Sequence, residues 1–196
     1  MTNRAARFHF ADHAFGLALA LLYLAVLVKT APTLGYARDE GFYFRAASSY
    51  AEWFELLWRD ASAAAQRSTV DSYWSNNHEH PALVKSLFGL SWNLLYRKWH
   101  LFNEEGTSFR FGGMCFAAGG LWLIYVWGVR ARSRTAGFVA ALLFALMPRI
   151  FYHAHLDCFD VPIAVMWTLC AYTYWRSLTN PGFVWAIATE QPLRSS

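Results

Sequence analysis

Apolar and polar blocks alternate along the chain at lengths that fit helices. Phe15 to Val28 is an unbroken run of 14 apolar or small residues, and Ala31 to Tyr36 extends it past Lys29, whose amine can snorkel to a headgroup interface. That run predicts a first membrane span; a cleaved signal-peptide core is the alternative for so short a stretch. Beyond it, Tyr50, Trp53, Phe54, Leu57 and Trp58 recur at helical spacing with Glu52, Glu55 and Arg59 on other faces, which predicts an amphipathic helix over 42–58. Its aromatic stripe suits a helix lying along the outer membrane surface. The stretch 61–77 is polar and rich in small residues, and reads as a loop or a further short helix.

Pro81 fits the first turn of a helix that continues through Tyr96. Gly112 to Val129 is a strong span candidate in which Gly112, Gly113, Ala117, Gly119 and Gly120 leave room for close helix contact. Ala136 to Met147 is a further run, ended by Pro148, and Val161 to Trp175 is another. The expected fold is therefore all-α: a polytopic integral membrane protein of about four to five hydrophobic helices, with an amphipathic interfacial helix in the first non-cytoplasmic loop.

Composition agrees with this class. Apolar residues make up 56% and charged ones 15%, and the 18% aromatic share is high for a soluble domain. The formal charge of +4 needs no nucleic acid, because basic residues flanking spans give the same excess and no long basic run is present. Cys115, Cys158 and Cys170 form no CxxC pair and read as plain buried thiols. There is no Gly-x-Ser-x-Gly element and no Gly-rich phosphate loop, so nucleotide-dependent and serine-nucleophile chemistry find no support.

Charge also bears on topology. Arg4 and Arg7 precede the first span, so the positive-inside bias starts the chain in the cytoplasm and brings Arg38-Asp39-Glu40 out on the other side. If both 83–96 and 112–129 cross, Arg130, Arg132 and Arg134 fall outside and the knot His153 to Asp160 falls inside. If the first of these is re-entrant, the arginines lie inside and the knot joins Asp39 outside. Arg97 and Lys98 favour the first arrangement and the arginine cluster the second.

The candidate chemistry sits where apolar runs end. Acids near the hydrocarbon centre cost roughly 2.5–3.5 kcal/mol each, so Asp39 and Glu40 belong at the water boundary or in a wet cavity. A second polar cluster, His78-Glu79-His80-Pro81, opens the next apolar helix, with Lys85 one turn on. His153, His155 and Asp157 alternate in a way that would bring them together on an extended segment. With His78 and Glu79 they are candidate ligands for a divalent metal, which is the only cofactor to consider.

The ordered set of Arg38-Asp39-Glu40 after the first span, Glu79-His80-Pro81 with Lys85, and Pro148 through Asp157 resembles the polyprenyl-phosphate-sugar-dependent glycosyltransferases of the GT-C type, a group that includes protein O-mannosyltransferases and the lipid A aminoarabinose transferase. The resemblance runs to about Trp185. It implies that Asp39 is the catalytic carboxylate with Glu40 beside it, that His80 lines a pocket for the lipid-linked donor, and that Asp157 is the later acid of the site. Where the related motif continues with a second proline, this chain has Ala82. Sugar-phosphate transfer needs an anion near the acceptor hydroxyl and cations near the departing phosphate. Asp39 suits the first, and Arg38, His80 and Lys85 the second.

The resulting expectation is an N-terminal part of a GT-C-like transmembrane domain over 1–188, followed by an aberrant or truncated tail over 189–196. Such a protein would sit in a bacterial inner membrane and move a sugar from a polyprenyl-phosphate donor to an acceptor on the non-cytoplasmic face, with membrane lipids as its other partners. A non-catalytic membrane scaffold subunit and an ion or solute transporter are the alternatives.

Overall fold

The computed structural model describes residues 9–179, and all the regular elements among them are helical. The expected tail at 189–196 lies outside the described residues. In chain order the helices are α1 (Phe10–Thr30), α2 (Glu40–Arg59), α3 (Ala61–Ala64), α4 (Arg67–Trp74), α5 (Ala82–Trp92), α6 (Glu105–Ala131), α7 (Arg134–Leu146), α8 (Pro148–Ala154) and α9 (Asp160–Thr179). A 3-10 turn, Ala31–Thr33, prolongs α1, and a π-helical stretch, Asn93–Lys98, prolongs α5.

α1 starts five residues before the apolar run that predicts it. The polar residues in between are absorbed by local bonds: the His9 amide donates to Asp12 at 2.8 Å, and Asp12 takes a second bond of 2.6 Å from Arg134. With its 3-10 extension α1 covers 24 residues, and α6 covers 27. At 1.5 Å per residue these are about 36 and 40 Å long, enough for a hydrocarbon layer of roughly 30 Å. They are the two described helices long and apolar enough to cross a membrane, and a third span exists if α7 and α8, bent by 67° at Met147–Pro148, count as one. That is fewer than the four to five expected from the apolar runs. α5 has 11 residues, and α9, though 20 residues long, carries Asp160, Thr168, Thr173, Arg176 and Ser177 along its length.

α6 is the axis of the bundle, with α1, α5, α7 and α9 all packed on it. The small residues of the 112–129 stretch do what close packing requires. A methyl group on Gly128 would come within 2.5 Å of the Gly137 Cα on α7, and one on Gly120 within 2.5 Å of Val165 on α9. Gly119, by contrast, faces open space.

α2 forms as its periodicity predicts, but its aromatic stripe is divided. Ala46, Ala47, Tyr50 and Ala51 are buried, and Gly89 of α5 lies directly over the Ala47 carbonyl. Trp74 of α4 stacks on Tyr50 at 4.2 Å and meets Trp53 and Phe54 edge-on. Protein therefore covers the face that the pattern assigns to headgroups, leaving Trp58, 93% exposed, and Phe42 outward.

The bundle has two chemically distinct ends. At one, Arg134 pairs with Asp12 and Arg130 donates to the Tyr172 hydroxyl, which brings the start of α1, the α6–α7 turn and the late part of α9 together. At the other, the exit of α1 meets the start of α2, the N-terminal half of α6 and the α8–α9 turn. α5 stays at this second end: its Ser91 hydroxyl and Trp92 indole donate to the Ser108 carbonyl and to Glu105 at the start of α6. The His/Asp knot lies beside Asp39 at this end, as it would in the second of the two arrangements that loop charge allows. Arg97 and Lys98, the charges that favour the other arrangement, are engaged by Glu55 of α2 at 3.9 and 3.3 Å.

Candidate functional site

The second end is organised by a buried ion pair. Arg110 of α6 and Glu40 of α2 are 2% and 1% exposed, and the guanidinium forks onto the carboxylate through Nε and Nη2, both at 2.7 Å. The remaining protons of Arg110 and lone pairs of Glu40 are used as well. Arg110 also donates to the carbonyls of Leu34 and Gly35 at 3.2 and 2.9 Å, and its guanidinium lies 5.2 Å from the Tyr36 ring. Glu40 accepts from the backbone amides of Ala37 at 2.7 Å and Asp157 at 2.9 Å. One carboxylate thus fastens the α1 exit, α2, α6 and the α8–α9 turn. Such saturation is what lets a charge pair exist in an apolar interior.

Beside this pair is a cavity of about 490 Å³ whose polar lining includes Asp39, Glu40, Tyr43, His80, Asp157 and Asp160. Asp39 is the N-cap residue of α2, yet its side chain makes no capping bond, so the carboxylate is not spent on the helix. It is exposed. His80 sits between the Phe159 and Tyr43 rings at 5.3 and 5.8 Å. Asp157 is fully buried and neither carboxylate oxygen has a partner. Burial first, then the neighbouring Glu40 charge, push its carboxyl well above the ordinary range, and Arg110 offsets only part of this.

Five of the ten residues singled out from the sequence, Asp39, Glu40, His80, His153 and Asp157, therefore share one cavity. Glu40 contributes an edge of it, but as half of the ion pair and not as a free acid. Lys85 does not line this cavity. It is buried against α2, donates to the Asn77 carbonyl and Oδ1, and lies 5.2 Å from the Tyr50 ring. The left-handed backbone of Asn77, at φ 52°, turns that carbonyl toward it. Burial lowers the amine's affinity for its proton. Glu79 is exposed and accepts from Asn77 at 2.8 Å, and Arg38 is exposed on the exit turn; neither lines the cavity.

The expected metal set is likewise not assembled. His78 is exposed against the Ser75 carbonyl. His155 is buried: Nδ1 faces the Phe151 carbonyl at 2.6 Å and Nε2 the Thr30 hydroxyl at 2.7 Å. Burial lowers its pKa, and both ring nitrogens are already engaged, Nδ1 by a carbonyl that can only accept, so neither is open to a metal. His153 and His155 diverge because α8 carries the helix through Ala154, and two helical residues differ by about 200° in direction. His153 instead meets Asp160, with Nδ1 to Oδ2 at 3.0 Å, and Cys158 joins them.

Arg110 is the residue that the sequence reading missed. Its signal was an arginine just ahead of the 112–129 apolar run, where a lone charge needs a partner, and an adjacent acid pair with more carboxylate than one reaction needs.

No family model, no curated protein and no solved structure matches the chain. What stands established, among the described residues, is an all-helical bundle with two helices long and apolar enough to cross a membrane and an acidic cavity at one end.

Proposed function

We infer that the chain is a multi-pass membrane protein whose cavity serves sugar transfer from a polyprenyl-phosphate donor, with Asp39 as the acid-base group. The observation that carries this reading is the uncapped Asp39 carboxylate at the cavity lined by His80 and Asp157, where α1 ends. An acceptor hydroxyl attacking the sugar's anomeric carbon must lose a proton as the bond to the phosphate oxygen breaks, and an exposed carboxylate can take it. Negative charge grows on the departing phosphate, and His80 in the lining and Arg38 on the exit turn are the groups to meet it. The isoprenoid chain fits the apolar groove of about 520 Å³ between α1 and α7, lined by Leu22, Val26, Phe138, Leu142 and Leu146. The basic cluster Arg130, Arg132 and Arg134 supports a cytoplasmic position for that end, and with it a cavity on the non-cytoplasmic face of a bacterial inner membrane.

The test is the full chain in proteoliposomes with a radiolabelled polyprenyl-phosphate hexose, following release of polyprenyl phosphate. Asp39→Asn should lower the rate by about 10²–10⁴-fold with donor binding retained. Transfer by the variant at the unaltered rate, or no donor binding by the unmodified chain, would reject the reading.

A further inference from the structure

The cavity has an imbalance that its protein groups do not correct. Asp39, Glu40, Asp157 and Asp160 all line it, and no lysine or arginine is among its lining residues. Arg110 neutralises Glu40 from behind, but both oxygens of the fully buried Asp157 lack a partner. Buried carboxyl oxygens are normally satisfied, so a cation or a proton belongs here.

One wall offers a place for a cation. The ligand atoms of His153, at the end of α8, Cys158, in the following turn, and Asp160, first residue of α9, all lie within 4.8 Å of one another. A tetrahedral zinc ion with bonds of about 2.0–2.3 Å holds its ligands roughly 3.3–3.7 Å apart. His153 and Asp160 are already at 3.0 Å, and Asp160, 67% exposed, is free to rotate. We propose that His153, Cys158 and Asp160 bind a zinc-class divalent ion whose fourth position opens into the cavity and accepts water or a phosphate oxygen.

The mixed nitrogen, sulfur and oxygen set selects against magnesium and calcium, which require oxygen ligands. Binding breaks the Cys158 S–H bond: the proton leaves to solvent, the sulfur lone pair forms the metal bond, and nothing is oxidised. Because the thiol must give up that proton, affinity should rise with pH by one proton per ion. Cys115 and Cys170 are exposed and belong to no such group among the described residues. The site does not depend on the sugar-transfer reading; where that reading holds, the ion is the cation that faces the donor phosphate in place of Lys85.

Cobalt(II) titrated into the full chain in detergent micelles reads the site directly. The expected result is one equivalent bound, with intense tetrahedral ligand-field bands and a thiolate-to-cobalt charge-transfer band, both abolished by excess zinc. Cys158→Ser should remove the charge-transfer band, Cys115→Ser and Cys170→Ser should not, and Asp160→Asn should weaken binding at least tenfold. Because Cys158 is partly buried, circular dichroism must show that its variant is folded; Asp160→Asn, altered at an exposed side chain, decides the matter if it is not. Inorganic phosphate should shift the bands by taking the fourth position. Weak octahedral bands, a charge-transfer band surviving Cys158→Ser, or full affinity in Asp160→Asn would overturn the site, and indifference to phosphate would overturn its open position. None of these readings involves sugar transfer, so the two proposals fail separately.

Discussion

The Asp157 amide donates to Glu40 Oε1 at 2.9 Å across 117 residues of chain, so the carboxylate that opens α2 also fixes the turn before α9. Glu40 and Arg110 are thereby structural, and they hold the walls of the cavity that Asp39 lines.

Removing one half of that pair should be far worse than removing both. Glu40→Gln leaves the Arg110 charge buried and unpaired, and should cost about 3–5 kcal/mol of stability. Glu40→Gln with Arg110→Met should lose distinctly less than the sum of the single changes, as read by thermal unfolding in detergent.

Asp39→Asn should leave the melting temperature within the change expected of about 0.5 kcal/mol, since the side chain is exposed and caps nothing. A large loss of stability would mean that Asp39 supports the fold, and would disqualify its variant as a test of chemistry.

Glu55 predicts an acid-sensitive step. Its hydrogen bond from Asn93, followed by the Lys98 contact, holds its carboxyl below the ordinary range. A carboxyl with a depressed folded pKa contributes stability above its unfolded pKa and loses it as pH falls through the folded one. Unfolding midpoints measured from neutral pH down through the carboxylate range should therefore fall less steeply in Glu55→Gln than in the unmodified chain.

The helix crossings make opposite demands on two glycines of α6. Gly128→Ala forces α6 and α7 apart and should cost about 1–3 kcal/mol. Gly119→Ala meets nothing within 4 Å and should be neutral or stabilising, by up to about 1 kcal/mol of helix propensity.

Labelling reports the topology. Single cysteines replacing Asp71 on α4 and Arg132 after α6, in a chain otherwise free of cysteine, should react with a membrane-impermeant maleimide from opposite sides of sealed vesicles. Reaction from one side would break the arrangement in which α5 turns back.

The long elements were legible because burial in a bundle imposes long apolar runs, and α1, α6 and the stop at Pro148 follow from them. The aromatic stripe of α2 was misread because an amphipathic face does not say what covers it; Trp74, twenty-four residues past Tyr50, does so here. Where Lys85 packs was not legible from its neighbours in sequence, because the first turn of α5 aims it at Tyr50 and Asn77 rather than into the cavity. The pairing of Glu40 with Arg110 spans 70 residues, and no local pattern encodes a contact of that range.

The fork of Arg110 has a mechanical corollary. Because it clamps four stretches of chain at once, those walls of the chamber move as a single block. The side formed by His80 and Pro81 meets that block through ring edges against Tyr43 and Phe159. A bulky guest must therefore enter by pushing this softer flank aside, and widening would begin where α5 starts.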